Sequence, residues 1–162
     1  MRLNLPPDEY YKQLAKVPTS GGAIFKNSKD EYLIVRQTYK INDNYYNIVG
    51  GTTNDTETPR EAVIREVKEE IGLEIKNPKL FCVDYATSKP YDRILFVFNC
   101  GILDEGEVAK IKVDTDEIEK YAFVSYEKMM ELLSPRLAKR IANSFDGFTN
   151  GTCAYLENGE RV

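Results

Sequence analysis

The segment 50–73 constrains the fold of this chain more than any other part of the sequence. The segment begins with paired glycines that directly follow the β-rich run 45–49, so a short strand is expected to end there. Glycines at this point let the backbone approach another group closely. A capping box with proline at the first helical position occupies 58–61, and Gly72 suits the left-handed position after a helix. The sequence therefore predicts a strand, a glycine loop and a helix that ends at residue 71.

The rest of the chain alternates β-rich runs with helical patterns. Strands are expected at residues 21–25, 31–37, 79–86, 93–103 and 121–124, with a terminal strand within 150–162. Helices are expected at residues 8–16, 126–133 and 135–145, and a turn at 42–44. Because no repeat or linker separates these elements, we predict one α+β domain over residues 1–162, with short terminal extensions at 1–18 and 146–162.

The absence of histidine narrows the chemistry that this chain can perform. With 0 histidines, Ser-His-Asp and Cys-His nucleophile arrangements and histidine-bearing zinc sites are excluded. Acid-base or metal chemistry must then come from carboxylates. Oxygen ligands of this kind favour Mg²⁺ or Mn²⁺ over zinc, copper or iron.

Charge and cysteine usage bear on partners and location. A total of 22 Lys+Arg against 26 Asp+Glu gives a net charge of −4, which argues against long nucleic acid as a partner. No apolar run approaches the roughly 20 residues of a membrane helix, so no membrane partner is expected. The cysteines at positions 82, 100 and 153 are odd in number, without metal-ligand spacing, and no signal-like segment is visible at the N-terminus. We therefore expect buried free thiols and a cytoplasmic location.

The helix predicted within segment 50–73 carries an acidic face. Glu66, Glu69 and Glu70 project within an arc of roughly 100° beside an apolar stripe. Three like charges so close together repel each other and destabilise the helix unless a cation takes up the charge. A plain solvated face is the alternative interpretation. The glycines before the helix, together with Glu57 and Arg65 as a pair that can brace loop against helix, favour the cation site.

This segment resembles the signature of the Nudix hydrolase family, Gly-x5-Glu-x7-Arg-Glu-U-x-Glu-Glu-x-Gly-U, in which U is a bulky aliphatic residue. Every specified position is filled, by Gly51, Glu57, Arg65, Glu66, Val67, Glu69, Glu70, Gly72 and Leu73. The resemblance implies an α/β/α sandwich with a mixed sheet, and metal-dependent hydrolysis of a diphosphate linkage in a nucleoside diphosphate derivative by attack of water on phosphorus. Val49 stands where relatives commonly have proline, a departure that bears on the substrate subclass.

The resemblance also assigns roles by position. The implied metal ligands, for Mg²⁺ or Mn²⁺, are the carboxylates of Glu66, Glu69 and Glu70 and the carbonyl of Gly51. Glu57 and Arg65 take the bracing role. Relatives often add an acidic residue from the loop before a late strand, for which Glu117 is the first choice here and Asp116 the second. The general base is then Glu69, Glu70 or Glu117.

The substrate side of the site is less sharply defined by the sequence. Tyrosines can stack on a base and arginines can meet phosphates, and the candidates are Arg36, Tyr39, Tyr46 and Arg93. The implied substrate is a small nucleotide: a nucleotide sugar, an ADP-ribose-like compound, a dinucleotide or a nucleoside triphosphate. A non-catalytic sensor that binds such a nucleotide is the alternative. The terminal extensions are candidates for a homodimer contact or a pocket lid.

Overall fold

A mixed β-sheet lies at the centre of the computed structural model, which describes residues 6–39 and 44–162. Its strands are β1 (Thr19–Asn27), β2 (Tyr32–Gln37), β3 (Val49–Thr52), β4 (Lys79–Ala86), β5 (Arg93–Leu103), β6 (Ile118–Val124), β7 (Ala154–Glu157) and β8 (Glu160–Arg161). The helices within those ranges are α1 (Pro7–Lys12), α2 (Pro59–Ile71), α3 (Glu105–Val108), α4 (Tyr126–Leu132), α5 (Pro135–Ala142) and α6 (Phe145–Asn150).

The sheet has the strand order β6-β2-β1-β5-β4-β7-β8, with β3 paired to β1 off this path. Strand β1 runs parallel to β5 and antiparallel to β2 and β3, and β4 runs parallel to β7. Parallel and antiparallel pairs therefore occur in one sheet. This mixed sheet with helices confirms the predicted α+β class.

Helices cover both faces of the sheet. Successive side chains of a strand point to opposite faces, so each strand contributes to two apolar clusters. On β1, Phe25 belongs to the apolar cluster that contains Val63 and Val67 of α2. Its neighbour Ile24 belongs to the opposite cluster, which includes Met129 of α4 and Ile141 of α5. The result is the α/β/α layering that the family resemblance implied.

Local signals predicted several elements well. Helix α2 ends at residue 71, and β4 and β5 have the predicted bounds. The predicted helix 8–16 is shorter, because α1 ends at Lys12. The short helix α3, capped by Asp104, was not predicted. Of the predicted turn 42–44, residues 42 and 43 lie outside the described residues.

The predicted helix 135–145 is wrong as a single element. Helix α5 ends at Ala142, and a second helix, α6, starts at Phe145. Between them, the hydroxyl of Ser144 donates to the carbonyl of Arg140 at 2.8 Å. This side-chain bond occupies a backbone acceptor at the end of α5. In the second helix, α6, the ring of Phe145 stacks on that of Phe148, and both pack on the core.

The predicted strand 45–49 is also displaced along the chain. Regular pairing with β1 begins only at Val49 and continues to Thr52, so the glycines lie inside β3. The residues before it make isolated bridges, Asn47 with Val35 and Tyr46 with Leu133. Side-chain propensity predicted a strand here, but the pairing partner determines where β3 lies.

The C-terminal part of the chain belongs to the sheet. Strand β7 pairs with β4 in register Cys82↔Ala154, and Leu156 is fully buried. The expectation of buried thiols is confirmed for Cys82, whereas Cys100 in β5 is only partly buried. The expectation is wrong for Cys153, which is exposed just before β7. Within residues 6–39 and 44–162, no helix has the length and apolar character to cross a membrane.

Candidate active site

The capping box at the start of α2 forms as predicted. The Thr58 hydroxyl accepts from the backbone N–H of Glu61 at 3.2 Å, and the Glu61 carboxylate accepts from the N–H of Thr58 at 2.9 Å. At the other end, Gly72 has φ 73°. Both ends of α2 are therefore fixed by local bonds, which sets where its acidic side chains emerge.

Three carboxylates from two parts of the chain converge beside α2. One oxygen each from Glu66, Glu70 and Glu117 lies within 4.8 Å of the others. Glu117 reaches the site from the turn before β6, and its carbonyl accepts from the N–H of Thr38 after β2 at 2.8 Å. Asp116, the second choice from the sequence, is not in this cluster. We call Glu66, Glu70 and Glu117 the carboxylate cluster.

Glu69 is not part of the carboxylate cluster. Its side chain is 55% exposed, and its carboxylate accepts from Arg65 Nη1 at 2.9 Å. Residues four apart on a helix lie on the same side, which explains the ion pair. Of the three helix carboxylates proposed as ligands, the structure therefore brings two together with Glu117 and leaves Glu69 at the rim.

Arg65 braces the loop before α2 against the helix. Its Nε and Nη2 donate to the two oxygens of Glu57, both at 2.9 Å. Nη1 donates to Glu66 at 2.7 Å and Nη2 to the carbonyl of Thr52 at 3.1 Å. The side-chain bonds from Arg65, with a backbone bond from Asn54, lower the pKa of Glu57 to about 2. The bidentate pair fixes the orientation of Glu66.

Glu70 is an unusually situated carboxylate, with only 2% of the residue exposed. Burial is the main cause that raises its pKa to about 7; the charges of Glu66 and Glu117 act in the same direction, and a bond from the N–H of Gly50 opposes them. That bond is 2.8 Å long. Burial likewise raises the pKa of Glu66. Crowded, desolvated carboxylates of this kind suit a divalent cation with hard oxygen ligands.

The paired glycines allow this close approach. Gly50 has φ +142°, and a Cβ on it would overlap the backbone of Gly21 in β1. A Cβ on Gly51 would overlap the carboxylate of Glu66. Gly51 therefore lies against the carboxylate cluster, where its carbonyl was predicted as a ligand. Glycine is required at position 50 by the backbone of β1, and a side chain at position 51 would have to displace the Glu66 carboxylate.

A cavity of about 380 Å³ opens next to the carboxylate cluster, on the sheet face that carries α5. Its wall near the cluster includes Gly50, Gly51, Gln37 and Tyr39. Burial raises the pKa of the Tyr39 hydroxyl, and the charges of Glu70 and Glu117 raise it further, so this tyrosine lies close to the carboxylates. The far wall carries three arginines, Arg93, Arg136 and Arg140.

Of the four residues predicted to contact substrate, two line the cavity and two do not. Tyr39 and Arg93 line the cavity, whereas Arg36 and Tyr46 are not among its lining residues. Arg36 forms an ion pair with Glu119 at 2.9 Å. Tyr46 packs against the apolar cluster that contains Leu133.

The sequence reasoning missed Arg136, Arg140 and Gln37. The two arginines are four residues apart on a helix whose Leu137 and Ile141 are buried, so helical periodicity would have placed them on one side of α5. Gln37 gave no such signal, because its burial depends on the neighbouring strands and loops.

Comparison with known proteins gives a consistent result. A family model for the NUDIX domain matches residues 17–147. The NAD-capped RNA hydrolase NudC of Erwinia tasmaniensis is 29% identical over 155 residues, which make up 94% of this chain and 53% of that relative. The MutT protein from Methanosarcina mazei Go1 has a crystal structure with 27% identity and a TM-score of 0.67, covering 86% of this chain and 98% of its own.

A third similar structure supports the fold alone. The crystal structure of UDP-X diphosphatase is 20% identical, with a TM-score of 0.66, and covers 94% of this chain and 76% of its own. The chain spans about half the length of the NudC relatives that it matches. Since the family match includes the glycine loop, α2 and Glu117, the chain belongs to the Nudix hydrolase family.

Proposed function

We propose that this chain hydrolyses the diphosphate linkage of a nucleoside diphosphate derivative, using Mg²⁺ or Mn²⁺ held by the carboxylate cluster. The single observation that carries the proposal is the convergence of Glu66, Glu70 and Glu117 beside a cavity of nucleotide size. Family membership supports the reaction class. The Erwinia tasmaniensis relative is named an NAD-capped RNA hydrolase, which supports a nucleotide substrate.

The residues around the site have separable roles in this proposal. When bound, the cation would neutralise charge on the diphosphate oxygens, polarise phosphorus and lower the pKa of water. Glu66, Glu70 and Glu117 supply oxygen ligands in this proposal, and the Gly51 carbonyl is the further candidate, because Gly51 lies against the Glu66 carboxylate. Arg65 holds Glu66 in place through its bonds to Glu57 and Thr52.

The proton from the attacking water is taken by a carboxylate at neutral pH. Glu69, Glu70 and Glu117 are the candidates, and the structure gives each a different environment. Glu70 is buried with a raised pKa, Glu117 lies in the exposed turn before β6, and Glu69 is exposed and held by Arg65. A base is most effective when its pKa lies near the working pH.

On the substrate side, we propose that Tyr39 and Arg93 contact the nucleotide, because both line the cavity. Tyr39 stands at the end of β2 beside the carboxylate cluster, where its ring can stack on a base or ribose. Arg93 stands at the opposite wall. Arg36 is engaged by Glu119 and lies outside the lining, which makes it a weaker candidate.

The test is hydrolysis of a panel of ADP-ribose, UDP-glucose, diadenosine tetraphosphate and NADH, with Mg²⁺, with Mn²⁺ and with EDTA, read by chromatography. We expect turnover of at least one compound that EDTA abolishes. Glu70→Gln and Glu117→Gln should each lower kcat/KM by about 100-fold or more, because a ligand for charge stabilisation is lost.

Glu74→Gln is the matched control, since Glu74 is exposed just beyond α2 and, within the described part of the chain, forms an ion pair only with Lys68. It should retain wild-type kcat/KM. Tight binding of a panel compound with no cation-dependent product would instead identify a sensor. Wild-type turnover in folded Glu70→Gln protein would contradict the assigned site.

A further inference from the structure

The far wall of the cavity is built from three arginines on two elements. Arg93 begins β5, whereas Arg136 and Arg140 lie four residues apart on α5. Arg93 follows the strand alternation of Leu95 and Val97, which also line the cavity, so its side chain faces α5. We call Arg93, Arg136 and Arg140 the arginine wall.

Arg140 is held in position by a buried carboxylate. Its Nε donates to Asp84 Oδ2 at 2.6 Å, and the other oxygen of Asp84 accepts from the N–H of Gly159 at 3.0 Å. Asp84 is completely buried and Arg140 is 8% exposed. Within the described residues, the terminal nitrogens Nη1 and Nη2 of Arg140 form no hydrogen bond. Every fully buried side-chain nitrogen there does have a hydrogen-bond partner, so these two nitrogens are not fully buried. Those nitrogens are therefore accessible donors on a fixed side chain.

The other two arginines carry charge that the nearby protein does not neutralise. Within residues 6–39 and 44–162, Arg93 and Arg136 form no ion pair, and Arg136 donates only to the carbonyl of Thr87, at 3.3 Å. The carboxylate next to Arg93 in the sequence, Asp92, accepts from the Tyr85 hydroxyl at 2.9 Å and from the Ser88 N–H. No carboxylate is among the described residues that line the cavity. This wall therefore has a net positive charge in a protein whose net charge is −4.

Arg93 of the arginine wall is offset along the sheet from Gly51, the residue that lies against the carboxylate cluster. Gly51 of β3 is paired with Gly21 of β1, and Gly21 is paired with Phe96 of β5. Arg93 therefore lies two strands away from Gly51 across the sheet, and three residues before Phe96 along β5. Strand spacing and rise convert this offset to roughly 14 Å between Cα positions. A diphosphate held at the carboxylate cluster therefore leaves the wall free to bind a different anionic group.

We infer that the arginine wall binds a phosphate monoester that the substrate carries outside the scissile diphosphate. Arginine is suited to this group, because its planar fork donates two parallel bonds to phosphate oxygens. Arg140 would supply a pre-positioned donor, and Arg93 and Arg136 the unpaired charge. This inference rests on the proposed function, since it assigns a substrate class to the same cavity.

The first arm of the test compares substrates that differ by one phosphate monoester: NADPH with NADH, and coenzyme A with dephospho-coenzyme A, each with Mg²⁺ or Mn²⁺. We expect wild-type kcat/KM to favour the phosphorylated member of at least one pair by about 10-fold or more. Arg136→Gln should remove most of this preference through KM, leaving turnover of the other member within about twofold. Arg140→Lys, which retains charge opposite Asp84, should weaken the preference in folded protein.

Lys139→Gln is the matched control, because Lys139 lies on the same helix, pairs with Glu160 and is not among the residues lining the cavity. It removes one positive charge and should leave the preference intact. Equal kcat/KM for both members of both pairs would overturn the inference. So would an equal loss of kcat on both members in Arg136→Gln, since the wall would then act on the scissile diphosphate.

The second arm separates this inference from the proposed function. Calorimetry in EDTA measures binding of NADP⁺ against NAD⁺, and of adenosine 3′,5′-bisphosphate against AMP. If neither substrate pair is hydrolysed, the proposed reaction fails for these compounds, and binding alone decides the inference. Tighter binding of the phosphorylated ligand that Arg136→Gln removes supports it, and equal affinities overturn it.

Discussion

At the scale of single residues, the burial of Glu70 couples the stability of the cation-free protein to pH. Its pKa is about 7 in the folded protein, against an ordinary value of 4.5. Between pH 4.5 and 7, the unfolded chain therefore loses this proton before the folded protein does. Stability must then fall as pH rises through that window.

The matching prediction concerns Glu70→Gln in EDTA. Relative to the wild type, this variant should gain on the order of 3 kcal/mol in free energy of unfolding between pH 4.5 and 8, because it has no proton to lose. Urea unfolding followed by circular dichroism measures the difference. As a control, Glu74→Gln should follow the wild-type pH dependence. If the free energy of unfolding of Glu70→Gln changed with pH in the same way as that of the wild type, the environment described for Glu70 would be contradicted. Saturating Mg²⁺ should reduce the wild-type loss.

At the scale of secondary-structure elements, the pairing of β3 with β1 determines whether the site can form. Gly50→Ala would force a side chain at φ +142° against the backbone of Gly21, so β3 would have to separate from β1. The bond from the Gly50 N–H to Glu70 would be lost with it. We expect a loss of more than about 2 kcal/mol in urea unfolding.

Gly101→Ala is the matched control for this prediction. Gly101 also has a positive φ, +95°, but a Cβ there would meet nothing within 4 Å. It should cost about 1 kcal/mol, from backbone strain alone. Equal losses in the two variants would show that the contact with β1 is unimportant.

The elements also show where sequence reasoning ends. Helix α2 was predictable because its cap, apolar stripe and terminal glycine are all within the helix or next to it. The break between α5 and α6 was not, because the burial of Ser144 and the packing of Phe145 and Phe148 on the core involve residues from other elements. The start of β3 was missed for the same reason: partners from β1 determine its register.

The same distinction applies to the candidate site. The spacing of the signature placed Glu66 and Glu70 together, and the resemblance pointed to Glu117 from a distant loop. Glu69 was grouped with them by the spacing, but its side chain is 55% exposed and lies outside the carboxylate cluster. The arginine wall depends on α5 packing over β4 and β5, and the buried Asp84–Arg140 pair joins residues 56 positions apart. Local patterns do not encode that contact.

At the scale of the whole molecule, the C-terminal strand closes the core over Cys82. This thiol is fully buried beneath the α5 layer, beside β7, and burial raises its pKa to about 11. Burial raises the pKa of Cys100 to about 12, whereas Cys153 is exposed. Thiol accessibility therefore reports on whether the C-terminal segment is docked.

Iodoacetamide labelling of the native protein at pH 8, read by mass spectrometry, tests this closure. One thiol, Cys153, should react quickly, and Cys82 and Cys100 should react only after urea unfolding. Cys153→Ser should abolish the fast reaction. Rapid labelling of Cys82 in the native state would mean that β7 does not protect β4 in solution.

Mn²⁺ titration monitored by electron paramagnetic resonance tests, without any substrate, whether Glu66, Glu70 and Glu117 together bind a divalent cation. Wild type and Glu74→Gln should bind with the same affinity, whereas Glu117→Gln and Glu70→Gln should each bind at least about 10-fold more weakly. Wild-type Mn²⁺ affinity in folded Glu117→Gln and Glu70→Gln would show that the cation is held elsewhere.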